Sequence, residues 1–108
     1  MSEQQLVHAC IDLLRLHGAL ALRINAGMAW VGAGAARRPV RLAPEGTSDI
    51  LGLLPGGRFV AIEAKRPGGT LRPAQVAFLA EVTARGGLAL CVTNETELCN
   101  ALKIALET

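Results

Sequence analysis

Apolar and polar positions along this chain repeat with three different rhythms, and each predicts a different element. From Glu3 to about Leu16, Leu6, Val7, Cys10, Ile11, Leu13 and Leu14 recur at helical spacing, with Gln5, His8, Asp12 and Arg15 between them. This predicts an amphipathic first helix that stops at Gly18. Ala19 to Ile24 is a short apolar run suited to a strand. The stretch from Gly27 to Gly46 is rich in glycine and arginine, with strand-like fragments near Ala29-Val31 and Val40-Leu42. Asp49 to Leu54 and Arg58 to Ala64 are compact apolar segments joined by Pro55-Gly56-Gly57, the turn chemistry of a β-hairpin. A second helix is expected from Leu71 to about Arg85, with Pro73 in its first turn and Gly86-Gly87 at its end. Leu88 to Val92 reads as an apolar strand, reached from the hairpin by a connection long enough for a parallel crossover. Asn94 and Glu97 form a capping box for a last helix running to Leu106.

Composition narrows the class. With 108 residues, 51% of them apolar, one domain spanning 1–108 is expected, with a core that needs no metal or disulfide staples. The net charge of +2 is too small to indicate a nucleic-acid partner unless the basic residues cluster. Ser2, Glu3, Gln4 and Gln5 precede the amphipathic stretch, the reverse of a signal peptide's order, and no apolar run approaches the roughly 20 residues of a membrane span. A cytoplasmic protein with no membrane partner is expected. Cys10, Cys91 and Cys99 show neither zinc-site spacing nor a disulfide framework and read as buried thiols. His8 and His17 have no partner spacing for zinc and read as surface residues. One Trp, two Phe and no Tyr leave little material for stacking platforms that bind single strands.

The candidate chemistry lies on the second strand of the hairpin. Alternation sends Phe59, Ala61, Glu63 and Lys65 to one face and Val60, Ile62 and Ala64 to the other. Two ionisable groups ending an otherwise apolar strand are costly to desolvate unless a metal or a counter-charge uses them. The antiparallel partner begins with Asp49, so Asp49 and Glu63 meet at one edge of the sheet. Two carboxylates and the backbone carbonyl of Ala64 are hard oxygen ligands suited to Mg²⁺ or Mn²⁺. Such an ion lowers the pKa of an attacking water, and Lys65 beside it would share the negative charge developing on a phosphate. Hydrolysis of a phosphodiester is the reaction this set suits.

Gly46-Thr47-Ser48-Asp49-Ile50, Ile62-Glu63-Ala64-Lys65 and Leu71-Arg72-Pro73-Ala74-Gln75, in that order, resemble the VRR-NUC branch of the PD-(D/E)XK nuclease superfamily, over nearly the whole chain. Arg23, Asn25 and Gly27 also resemble the family's stretch after the first helix. The resemblance implies an α/β fold with a restriction-endonuclease-like core, a mixed central β-sheet flanked by helices in the order α-β-β-β-α-β-α. It implies a metal site surrounded by Glu3, Asp49, Glu63, Lys65 and Gln75, with Gln75 orienting Lys65 or the attacking water. It further implies a homodimer that cuts branched duplex DNA, such as Holliday junctions, as an endonuclease. One departure is visible. Arg72 stands where the family often has a helix-capping Ser, and it has no acceptor for the helix N–H groups, so Thr70 or water is expected to cap instead.

Other readings exist for each part. Glu63 and Lys65 alone would suit a solvated ion pair on an edge strand, Asp49 alone a turn, and Gln75 alone a helix. Arg37, Arg38 and Arg41, with Arg66 and Arg72 on the same rim, suit contacts to DNA phosphates, and equally a solvated loop. Gly32-x-Gly34 lacks the Gly-Lys-Ser/Thr of a P-loop, so no nucleotide cofactor is expected, and the loop reads as a substrate-facing flap. The alternative functions are a non-catalytic DNA-binding or recombination accessory module with the same fold, and a protein-interaction module whose acidic groups form a structural ion pair.

Overall fold

Ser2 starts the first helix: its hydroxyl accepts from the Gln5 amide at 3.1 Å, and the Gln5 side chain accepts from the Ser2 amide at 2.8 Å. In the computed structural model, which describes residues 1–25 and 27–107, this helix is α1 (Glu3–Leu16). It is followed by β1 (Leu20–Arg23), β2 (Met28–Val31), a single 3₁₀ turn at Gly34–Ala36, β3 (Arg38–Arg41), β4 (Ile50–Leu53) and β5 (Phe59–Ala64). The chain ends with α2 (Pro73–Ala84), β6 (Leu88–Val92) and α3 (Glu95–Glu107). Every element expected from the pattern is present, with ends shifted by a few residues.

The main sheet has four strands in the order β1-β4-β5-β6. The first two pairings are antiparallel and β5–β6 is parallel, with α2 as the crossover. Counting only these strands, the order is α-β-β-β-α-β-α, as expected. The central strand β5 sends Val60, Ile62 and Ala64 into a core shared with Leu6, Cys10 and Leu14 of α1 and Leu98 and Leu102 of α3. These two helices cover one face of the sheet.

α2 packs chiefly on β5 and β6. The other half of that face is therefore open. Register places Leu20, Leu53 and Phe59 in one cross-strand row, and Leu20, Leu22, Leu53 and Phe59 are all exposed. The same topology makes β6 an edge strand, which corrects one expectation: Cys10 is buried, but Cys99 is half-buried and Cys91 is exposed. His17, expected at the surface, is half-buried, with Nδ1 2.9 Å from the Leu13 carbonyl.

Strands β2 and β3 form a separate antiparallel ribbon that pairs with no strand of the main sheet. Its strand residues are exposed apart from half-buried Ala29 and Val40. The molecule is elongated, 55 × 29 × 26 Å.

Candidate active site

The site forms where β4 begins and β5 ends. Ile50 is the first ladder residue of β4 and pairs with Ile62, so the β5 backbone beyond Ile62 has no strand on that side. Asp49 fills the gap: its Oδ2 accepts from the Ala64 amide at 3.0 Å, and its own carbonyl accepts from the Ile24 amide at 2.8 Å. On the far side the Lys65 amide donates to the Val92 carbonyl at 3.0 Å. The N–H and C=O of one strand residue leave on the same side, so the Ala64 carbonyl faces the Asp49 end of β4.

Glu63, on the face covered by α2, is 3% exposed. Its Oε1 accepts from Gln75 Nε2 at 3.1 Å, while its Oε2 is buried without a hydrogen-bond partner. A buried carboxylate oxygen left unpaired is costly and calls for a function. Burial, first, and the neighbouring Asp49 carboxylate, second, push the Glu63 carboxyl up from 4.5 to about 7, against a smaller lowering by Lys65. The pair is thus short of positive charge. Ser48 Oγ is also buried without a partner, and nothing in the structure explains it.

Gln75 is fixed from both ends. The Arg72 amide donates to its Oε1 at 2.8 Å, which aims its Nε2 at Glu63. Arg72 occupies the cap position and makes no side-chain cap bond, so the Gln75 side chain satisfies an amide at the helix start. The side chain that its Nε2 reaches is Glu63, a partner the sequence did not indicate. The loop before Asp49 is clamped to the same helix turn at Gly46, which has φ +85°. A Cβ there would lie 2.2 Å from the Ala74 carbonyl oxygen, so glycine is required.

The remaining candidates divide. A cleft of about 750 Å³ is lined by Asp49, Gly46, Arg23, Arg41 and Arg72, among others. Lys65, Glu3 and Arg66 instead line a small adjacent depression. Glu3 is engaged by the Arg66 amide at 3.3 Å and by its guanidinium at 3.5 Å. Arg66 is therefore not on the same rim as Arg41 and Arg72. Register puts Arg38 opposite Val31 and Arg41 opposite Met28, on opposite faces of the ribbon, and Arg37 lies over Trp30. Among the described residues no group of three or more His, Cys, Asp or Glu side chains is placed to hold a metal ion. A cation would rest on Asp49, Glu63 and main-chain oxygen. Those hard donors and the orphaned Glu63 Oε2 fit Mg²⁺ or Mn²⁺.

Sequence reasoning gave Arg23 no role, yet it lines the cleft and is held by the Gln4 side chain and by His8, 3.4 Å away. The signal in the sequence was its place in the Arg23, Asn25 and Gly27 stretch noted above.

No family model and no curated protein matches the chain. Among solved structures, one described as "VRR_NUC domain" aligns over 94% of this chain and 94% of its own, with a TM-score of 0.66 and 17% sequence identity. The shared fold extends over nearly the whole chain.

Proposed function

We propose that this chain, whose fold is that of a VRR_NUC domain, is a member of that family and a Mg²⁺- or Mn²⁺-dependent endodeoxyribonuclease that hydrolyses phosphodiester bonds in structured DNA. The observation that carries the reading is the pair of carboxylates, Asp49 and Glu63, set beside an arginine-lined cleft with one buried oxygen unpartnered. Asp49, Glu63 and the Ala64 carbonyl would hold the cation, which when bound activates water and neutralises charge on the phosphate.

The chain's own groups prepare that chemistry. Ala64 N–H fixes one oxygen of Asp49 and Gln75 fixes one oxygen of Glu63, whose other oxygen is left without a partner. Burial makes two adjacent negative charges unfavourable until a cation arrives, which favours binding of a compact dication over water. Lys65 supplies a positive charge near Glu63 and stabilises charge on the scissile phosphate. Arg23, Arg41 and Arg72 hold flanking phosphates without reading sequence. Glu3, tied to Arg66, stays outside this set. The branched substrate and the homodimer follow the resemblance, and the open apolar row of Leu20, Leu53 and Phe59 is a surface on which a second copy would fit.

The test is cleavage of labelled four-way-junction, flap and linear duplex DNA with Mg²⁺ or Mn²⁺ by the native protein, Asp49→Asn and Lys65→Ala. Metal-dependent cutting that both substitutions reduce by roughly 100-fold or more supports the site. DNA binding without cutting in any metal would instead favour the accessory-module reading, and neither binding nor cutting would favour a protein-interaction module.

A further inference from the structure

The β2–β3 ribbon carries the chain's single tryptophan, and the nuclease reading leaves it without a task. Register puts Met28 opposite Arg41 and Trp30 opposite Pro39, on one face of the ribbon. Met28 and Arg41 line the cleft beside Asp49. Trp30 therefore stands on the cleft-side face, two residues or about 7 Å further out along the strand. It is 59% exposed, an unusual state for the largest apolar side chain. Arg37 lies over its ring, 4.6 Å from the centroid, which holds the indole plane and adds a positive charge behind it. Gly27 to Leu42 contains three arginines and no acidic residue. An exposed, cation-backed aromatic plane on a basic ribbon is complementary to a nucleobase within a polyanion.

We propose that Trp30, held by Arg37, stacks on a base left open where a duplex branches or frays, and that this contact makes the neighbouring cleft prefer structured over continuous DNA. In continuous duplex every base is already stacked, so access to the indole requires unstacking a step. At a branch point that cost is absent. The proposal rests on the reading of the cleft as a DNA site and adds the element that selects among DNA shapes.

Because Trp30 is the only tryptophan, the emission of the unmodified protein reports on this side chain alone. Metal-free protein is titrated with a four-way junction and with linear duplex of equal length, and binding is followed in parallel by anisotropy of labelled DNA. The expected result is tryptophan quenching by the junction that saturates with binding and is weak with duplex. Trp30→Ala should lose about 5- to 150-fold in junction affinity, the range for one stacked base, with the junction-to-duplex affinity ratio collapsing towards one. Trp30→Phe should restore much of that ratio. Circular dichroism establishes that both variants fold. Junction binding with unchanged emission, or an unchanged affinity ratio in Trp30→Ala, overturns the proposal. Failure of the nuclease reading is separate: it shows as absent cleavage while quenching and the affinity ratio persist.

Discussion

Replacing Glu63 with Gln should make the metal-free protein more stable at neutral and alkaline pH, although it removes a proposed metal ligand. The glutamine amide keeps the shape of the side chain and can still accept from Gln75, while its NH₂ can donate towards Asp49. It thus imitates the protonated carboxyl that burial favours. The native carboxyl titrates near 7 in the folded chain against 4.5 when unfolded. Below pH 4.5 both states are protonated and Glu63 costs nothing. Between 4.5 and 7 the unfolded chain ionises first, so stability falls as pH rises, and above 7 the full penalty is present. At about 1.4 kcal/mol per pH unit the interval amounts to roughly 3 kcal/mol, a ceiling because the surroundings relax around a buried charge. For a domain of this size that corresponds to a Tm higher by up to about 13 °C. The assay is urea and thermal denaturation of both proteins in EDTA from pH 4.5 to 8.5. The two should coincide near pH 4.5 and separate steadily up to pH 7. Mg²⁺ at pH 8 should then raise the Tm of the native protein and not of Glu63→Gln. Parallel pH profiles, or a variant less stable than native at pH 8, would refute the account of Glu63 as a buried, charge-starved ligand.

Gly46→Ala should destabilise by about 3 kcal/mol or more, since φ is +85° and the new methyl meets the Ala74 carbonyl; a urea midpoint within error of native would show that this loop is not clamped to α2. Gln75→Ala should cost about 1–3 kcal/mol by leaving the Arg72 amide and Glu63 Oε1 unpaired, and isothermal titration should show weaker Mn²⁺ binding. Arg41→Ala and Arg72→Ala should each lower the slope of log affinity for DNA against log salt by about 0.9, measured by anisotropy. Arg38→Ala, on the opposite ribbon face from Arg41, should change it less, and equal effects at Arg38 and Arg41 would contradict the assignment of a cleft-side face.

The periodicities of α1 and β5 determined the α/β layering, because each buries one face against the other and the apolar positions record which face. The meeting of Asp49 with Glu63 was legible too: a short turn dictates an antiparallel hairpin, and an antiparallel hairpin brings the start of one strand to the end of the next. The position of Gln75 followed from the ordered motif, but its partner did not, since the amide direction is set by Arg72 N–H at a helix start whose cap residue supplies no side-chain acceptor. Tertiary structure alone decided the grouping of the arginines. Arg37, Arg38 and Arg41 are close in sequence, yet strand alternation divides Arg38 from Arg41, and Arg66 is drawn away by Glu3 from the far end of the chain. Arg23 enters the cleft only because β1 pairs with β4. The exposure of Cys91 and of the Leu20, Leu53 and Phe59 row has the same origin. Apolar pattern specifies which residues share a face, whereas the order of strands in the sheet and the reach of α2 decide which faces are covered.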